Sequence, residues 1–583
     1  MLQRNLPVCI ARAWRSILNR SRIFFQSAGL EFAYQFQIEA ADRQESDLLT
    51  ADCHPITVLP GLHRLFVDAV SGAEEAQAFY PAPPPEAGWQ ARPALPSHWP
   101  EVVRLLGEQN AAPSPAAASA LEALSSGAGV VVTGQQVGLF GGPLFTPFKA
   151  ATAVARARQA TAEGRPHAAI FWLATEDHDF AEINHVVFPA KRELRKLVYS
   201  SFPEFLCPVG GIVLDGSITP LMEQAWELLG GSEAMEVLAA AYQPGRSFAQ
   251  AFAEFYRKIF AAQGLLVLDA GSREFHRIGA PVLQAGIERA DELHAALLER
   301  NKALEAAGYH AQVAVGEQSS LLFLIDERTG ARVALKSLPP STNEPEGLWQ
   351  AGRQSYSTAD LLGILHAEPE RISPSALLRP VFQDYLLSTS AIVGGPAEIA
   401  YFAQSAVLYE RILGRMTPGL PRLSATLIEP AIGDLLRKHQ LTLERVFEVA
   451  PSELAQLLAA RAIPPEGKRR LAEAGLSLDD ELIPLLDWMR SLDAGLGRSA
   501  ETAASKMRYQ MGRLRRLAAN FQLQREAKLT RDAEAISQAL YPGGVLQERL
   551  HGAAYYFARY GFELAEELTA QAAECPGHAA CWL

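Results

Sequence analysis

Gly129-Val130-Val131-Val132-Thr133, a β-branched run opened by a glycine, is the feature that most restricts what this chain can become. The run has no polar alternation, so both of its faces must be covered, as they are for a strand inside a parallel sheet. A glycine-rich loop, Gly134 to Gly142, follows it. An Ala-rich stretch from Phe145 to Gln159 then reads as a helix, and Ala169-Ile170-Phe171-Trp172-Leu173-Ala174 reads as a second buried strand. Strand, loop, helix and strand in that order make a right-handed βαβ unit. The pattern recurs later. Helical periodicity from Phe248 to Gln263 leads into Gly264–Asp269, and Ala391-Ile392-Val393 precedes Gly394-Gly395-Pro396 and a helix from Ala397 to about Leu413. Between them, Ala311–Val315 and Leu321–Ile325 look like paired strands, with Asp326–Gly330 as a turn and Ala331–Leu335 returning. The expected core is a doubly wound α/β domain carrying an antiparallel insertion.

Composition narrows the class. The 583 residues include 53 basic and 65 acidic side chains, a net charge of −12, with 49% apolar and 20% charged residues. That apolar fraction and modest charge density exclude a mainly disordered chain. No run approaches the roughly 20 apolar residues a bilayer requires. The acidic balance argues against a dedicated nucleic-acid binder. Residues 1–50 read as an extension ahead of the folded domain; the first 30 carry Arg4, Arg12, Arg15, Arg20 and Arg22 and no acid. Pro81–Pro85 and the prolines at 93, 96 and 100 read as irregular connectors. Ser114 before Pro115 is a helix N-cap pattern. The five cysteines, Cys9, Cys53, Cys207, Cys575 and Cys581, contain no CxxC pair and suggest no disulfide framework, so a reducing cytoplasm is expected. Cys575, His578 and Cys581 fall on a tail, 571–583, that reads as frayed, and three ligands do not close a zinc site.

Beyond about Glu429 strand signals almost vanish, and 431–570 reads as a helical arm that returns to the core. Met507, Met511, Leu514, Ala518 and Phe521 alternate at four and three, the seam of a coiled coil or a long hairpin. Eight bases and one acid lie between Lys506 and Arg531, against six acids and two bases between Asp479 and Glu501. Such segregation suits complementary helix faces, a phosphate or a partner subunit.

Three stretches can carry chemistry. The first is Gly134, Gln135, Gln136, Gly138, Gly141 and Gly142, a loop at the carboxyl edge of the sheet, where doubly wound folds bind ligands. Its backbone N–H groups and a helix N-terminus suit an anion, and Lys149 can reach back towards it. The loop matches neither a Walker A sequence nor GxGxxG, and a tight turn packed by glycines gives the same pattern. The second is Glu176, Asp177, His178, Asp179, Glu182, Asn184 and His185. If a helix includes His178, then His178, Glu182 and His185 share one face and suit either a divalent metal or acid–base work near neutral pH. Asp177 and Asp179 can also act as helix caps. The third is Arg379 and Gln383 with Gly394, Gly395 and Glu398, where Arg379 offers a planar fork for carboxylate or phosphate.

At these residues the sequence becomes recognisable. TGQQVGLFGGPLFTPFKA (133–150), FWLATEDHDFAEINHV (171–186), LLRPVFQDYLL (377–387), IVGGPAEIAYFAQ (392–404), LPRLSATLIEP (420–430) and the later YPGGVLQER (541–549) closely resemble the cysteine-adding enzyme family of bacillithiol biosynthesis. The resemblance runs from about residue 52 to 570. It implies a Rossmann-like core with inserted connector elements and a C-terminal coiled-coil arm that pairs two subunits. It also implies an amide bond between L-cysteine and the amino group of glucosaminyl-malate. That reaction is uphill in water, so ATP with Mg is the expected source of activation. No protein-bound metal is expected. The combined reading gives His178 or His185 the role of base, oriented by Glu176, Asp177 or Asp179. Arg379 would hold a carboxylate, and Gln135, Gln136 and Asn184 would read sugar hydroxyls. Two rivals stand beside it: a metal-dependent hydrolase or deacetylase using His178, Glu182 and His185, and a non-catalytic scaffold.

Overall fold

Five strands lie side by side and parallel at the centre of the computed structural model, which describes residues 49–80, 95–191, 193–338 and 348–583. The extension expected at 1–50 (but for its last two residues) and the connectors at 81–85 and 93 fall outside the described residues. In chain order the sheet and its crossovers are β1 (Gly129–Gln135), α1 (Phe145–Ala162), β2 (His167–Leu173), α2 (Phe248–Ile259), β3 (Leu266–Asp269), α3 (Arg379–Leu387), β4 (Ala391–Gly394), α4 (Pro396–Leu413) and β5 (Gly419–Pro421). The sheet order is β5-β4-β1-β2-β3. Val131 stands opposite Ala169 on one side and Ala391 on the other, and Phe171 stands opposite Val267. The chain winds outward from β1 to β3, then returns to add β4 and β5 on the other side. The reversal therefore lies between β1 and β4, and the carboxyl ends of these strands form one edge.

Covering both faces explains the apolar runs. All of Val130, Val131, Val132, Ile170, Phe171, Leu266 and Leu268 are buried. Helix α1 is buried almost all round because it lies between the sheet and the later helix Leu564–Glu574. Ser114 caps the helix Pro115–Ser125 by accepting from the N–H of Ala117, as its sequence predicts.

The antiparallel insertion is larger than expected and differently drawn. It has five strands, ordered Gln354–Tyr356, Leu348–Ala351, Arg332–Leu338, Ser319–Ile325 and Ile372–Pro374. Residues 311–315 form no strand; Val313 bonds through both N–H and C=O to the Gln404 side chain on α4 instead. The amide side chain satisfies this backbone as a neighbouring strand would.

The C-terminal region is led by a helical hairpin, α5 (Pro465–Leu492) and α6 (Ala494–Arg525). Asp493 turns the corner and caps α6, its Oδ1 accepting from the N–H groups of Gly495 (2.7 Å) and Leu496 (2.9 Å). Leu482, Leu486 and Ala504 pack between the two helices, and Arg508–Asp479 (2.6 Å) and Arg490–Glu501 (2.7 Å) join their charged faces. The tail is not frayed. His578–Trp582 is a buried strand lying parallel to Ser424–Ile428, with His578 between the hydroxyls of Ser424 (2.9 Å) and Thr426 (3.0 Å). Nor are its cysteines all spectators, because Cys575 forms a disulfide with Cys53, with Cα atoms 5.6 Å apart. The partners are 522 residues apart in sequence, a separation at which spacing carries no signal. No helix among the described residues is long and apolar enough to cross a membrane.

Candidate active site

Where β2 ends, Thr175, Glu176, Asp177 and His178 leave the sheet in succession and each meets a different element. The Thr175 hydroxyl donates to Asp269 Oδ1 at the end of β3 (2.5 Å). Glu176 Oε1 lies 2.9 Å from Nε2 of His276, a fully buried ring on the helix Arg273–Glu288. Nδ1 of that ring faces the carbonyls of Pro369 (3.1 Å) and Ile372 (3.0 Å), both acceptors, so it carries a proton. The Glu176 carboxylate beside Nε2 favours the protonated ring. Burial opposes the charge, but Glu176 outweighs it and raises the His276 pKa above its ordinary value. Burial likewise opposes the Glu176 charge; His276, then Arg379 and Arg332, hold its pKa below the usual carboxylate range.

Asp177 accepts from Gln136 Nε2 (2.6 Å) and from the His178 N–H (2.7 Å). Its burial is overcome by the Arg379 charge and the Gln136 bond, and its pKa too is lowered. His178 accepts at Nδ1 from Arg332 (3.1 Å), so the neutral ring carries its proton on Nε2. Burial first, and the Arg332 charge second, push the His178 pKa down. Held this way, the ring presents a donor at Nε2, not the base that the sequence suggests. Arg332 is itself fixed by Ser373 Oγ (3.0 Å), the Pro374 carbonyl (3.0 Å) and the Phe323 ring, 3.7 Å from its Cζ. Burial and the neighbouring Arg379 charge lower its pKa to about 10.

Arg379 opens α3 and points its charge at this group. Its Nε is buried without a hydrogen-bond partner, and its guanidinium acts electrostatically on Glu176 and Asp177. A buried N–H left unmade costs about 1–3 kcal/mol, so such a donor is a place where a ligand gains affinity.

The glycine loop behaves differently from an open phosphate cradle. Only Gly134, Gln135 and Gln136 are half-buried; residues 137–142 lie inside the protein. The Gly141 N–H is taken by the Tyr242 hydroxyl (3.1 Å), and the Gly142 N–H by the Leu139 carbonyl (3.0 Å). Tyr242 and Tyr256 donate to the carbonyls of Gly138 (2.9 Å) and Gly141 (2.7 Å). Gly141 has φ of +84°, and a Cβ there would lie 2.5 Å from the Phe255 ring; at Gly138 it would lie 2.9 Å from the Gly142 backbone. The packed-turn reading therefore holds for Gly138, Gly141 and Gly142. Lys149 is also committed, buried between the Gly134 carbonyl (2.8 Å), Gln135 Oε1 (2.9 Å) and Glu398 (2.5 Å). Burial lowers its pKa against the pull of Glu398. Glu398 in turn accepts from the Gly395 N–H (2.7 Å), while the Gly394 carbonyl accepts from the Arg422 N–H (2.9 Å). These groups lock β1 to β4 across the reversal, and Lys149 and the N–H groups of Gly141 and Gly142 are already bonded within the protein.

Three further expectations change. The helix after β2 is only Phe180–Ile183, with Asp179 as its N-cap accepting from Glu182 N–H (3.1 Å). His178 precedes it and His185 begins the strand His185–Pro189, so His178, Glu182 and His185 share no helix face. A turn that short cannot span the seven residues the face needs. Asn184 is buried, bonding the Tyr199 carbonyl (3.2 Å) and lying beside His185 (3.3 Å), which suits structure better than sugar recognition. Gln383 is buried within α3. Among the described residues no group of three or more His, Cys, Asp or Glu is placed to hold a metal ion. His276, Arg332 and Asp269 escape sequence reading, because they come from a crossover helix, the insertion and a different strand. The strand ending at Asp269 was the only signal.

Residues 52–423 match the model for the N-terminal Rossmann-like domain of the bacillithiol biosynthesis protein BshC, and residues 425–577 match its C-terminal coiled-coil domain. The chain belongs to the BshC family. A relative from Koribacter versatilis is 41% identical over 90% of this chain and 98% of its own length. Relatives from Solibacter usitatus (34%, 87% and 94%) and Salinibacter ruber (30%, 88% and 95%) follow, and all three carry the name “Putative cysteine ligase BshC”. The boundary between the two BshC domains falls beside β5, so every cluster residue described above, from Gln136 to Arg379, lies in the Rossmann-like domain.

Proposed function

We propose that this chain is an amide-forming ligase of bacillithiol synthesis. It joins the carboxyl group of L-cysteine to the amino group of glucosaminyl-malate, and ATP with Mg supplies the activation. The single observation that carries the reading to particular residues is Arg379. In a BshC-family chain it sets a guanidinium with a buried, unbonded N–H at the carboxyl edge of the sheet, beside Glu176 and Asp177. That fork holds a substrate carboxylate or phosphate. His178 donates from Nε2 to an oxygen that gains charge, with Arg332 keeping its tautomer. Gln136 and Asp177 form a bonded pair that presents one acceptor and one amide to a polar ligand. The packed loop Gly138–Gly142 and Lys149 keep the edge rigid and are assigned no contact with nucleotide.

A second copy of the chain is the proposed partner. The predicted seam does not close within the hairpin: Met507, Leu514 and Phe521 are 47%, 50% and 60% exposed, as are Trp488 and Leu492 on α5 at 56% and 59%. An apolar stripe on a hairpin with segregated charge suits a second such stripe.

The hydrolase alternative loses its geometric support, since His178, Glu182 and His185 are not gathered. The test is a mass-spectrometric assay of purified protein with cysteine, glucosaminyl-malate, ATP and Mg. A thiol product with matching AMP or ADP is expected; folded protein that yields none overturns the reading.

A further inference from the structure

Each of the paired glutamines at the end of β1 gives one half of its amide to the protein and keeps the other half open. Three acceptors surround Lys149 Nζ: the Gly134 carbonyl (2.8 Å), Gln135 Oε1 (2.9 Å) and Glu398 (2.5 Å). Only an ammonium has a donor for each of the three, and it accepts nothing, so Gln135 turns its oxygen to Lys149 and its Nε2 away. At Gln136 the constraint is reversed. Asp177, with its lowered pKa, is a carboxylate that only accepts; it takes Gln136 Nε2 (2.6 Å) and leaves Oε1 as the open end. Neither Gln135 Nε2 nor Gln136 Oε1 has a hydrogen bond among the described residues, and neither is sealed from solvent as Arg379 Nε is. Turning either amide end for end would set donor against donor or oxygen against oxygen.

These open ends lie at the carboxyl end of β1, beside the reversal where doubly wound sheets bind ligands. We propose that they read one ligand with opposite polarity: Gln135 donates from Nε2 to a carboxylate, and Gln136 accepts at Oε1 from a hydroxyl. The charge around Gln135 favours the carboxylate there. Glu398 answers Lys149 and Glu548 answers Arg422, whereas Arg549, close enough to act on Lys149, has no ion pair among the described residues. A ligand with the two polarities exchanged meets donor with donor and acceptor with acceptor, so the pair selects by rejection as well as by attraction. The inference deepens the ligase reading and rests on it for the ligand: a malyl carboxylate of glucosaminyl-malate falls to Gln135 and a hydroxyl of its sugar to Gln136. Of the two glutamines, only Gln136 then keeps the hydroxyl role expected from the sequence.

Calorimetric titration of the full chain with glucosaminyl-malate tests both positions. Gln135→Glu keeps an oxygen for Lys149 but turns the open donor into an acceptor, whereas Gln135→Met offers neither. The expected affinities fall in the order wild type, Gln135→Met, Gln135→Glu, with Glu at least tenfold below the wild type. A purely structural role predicts the opposite order, because Glu pairs with Lys149 better than Met does. Gln136→Lys keeps a donor for Asp177 and removes the acceptor, and it weakens binding at least fivefold. A role confined to holding Asp177 would leave that variant at wild-type affinity. Should one variant fail to fold, the other decides alone. Wild-type affinity in folded Gln135→Glu or folded Gln136→Lys, or no binding by the wild type, overturns the proposal. Thiol product from the wild type, with both substitutions tolerated in binding, sinks this inference and leaves the ligase reading standing. Binding weakened as described, without product when cysteine, ATP and Mg are supplied, does the reverse.

Discussion

The His276–Glu176 pair shows how one buried interaction sets the charge state of a whole site. His276→Ala takes from buried Glu176 its nearest cation, at a cost of roughly 3–5 kcal/mol, measurable by denaturant unfolding. The pair also gives stability a definite pH dependence. The folded pKa of His276 is raised above its ordinary 6.5, so its contribution is full below 6.5 and is lost as pH rises through the folded value. The folded pKa of Glu176 is lowered below 4.5, so its contribution is full above 4.5 and is lost as pH falls through the folded value. The stability gap between the wild type and His276→Ala is therefore widest between about pH 4.5 and 6.5 and narrows towards alkaline pH. A gap that widens from pH 7 to 9 would contradict this assignment. Of these residues, Glu176, Asp177 and Arg379 are legible in sequence because they follow a strand or open a helix. His276 and Arg332 are not, since nothing local marks a helix histidine or a strand arginine as the partner of a residue a hundred or more positions away.

Among the elements, the glycine loop is the instructive case. Its position after a parallel strand was readable, but its role depends on Tyr242, Tyr256 and Phe255, which arrive from 100 residues on, the tyrosines bonding its backbone and the Phe255 ring packing against Gly141. Gly141→Ala forces a residue with φ of +84° into the Phe255 ring. Such strain costs about 1–3 kcal/mol, so the melting temperature falls while the Michaelis constant for nucleotide in the folded fraction stays unchanged. An unchanged melting temperature with a raised nucleotide constant would restore the cradle. The long helices were equally legible from their period. The side to which their seam turns was not, because a heptad pattern does not say whether its partner is the same chain or another.

At the scale of the whole molecule, the two ends of the described chain meet. Residues near His54 and the final strand are joined by Cys53–Cys575, which closes most of the chain into one loop. Cys53→Ser lowers stability without reductant by roughly 2–5 kcal/mol, and dithiothreitol removes the difference. The exposed stripe on α5 and α6 yields a second expectation: Leu514→Glu with Phe521→Glu turns a dimer into a monomer in light scattering and leaves the melting temperature of the core in place.

Arg379 is the residue on which the reaction at this edge most depends, and its Nε has no protein bond to lose. Arg379→Ala, measured beside the wild type in the cysteine, glucosaminyl-malate and ATP assay, should lower kcat/KM by at least a hundredfold while the folded state melts within a few degrees of the wild type. Full turnover by a folded Arg379→Ala protein would contradict the placement of the reaction at this edge of the sheet.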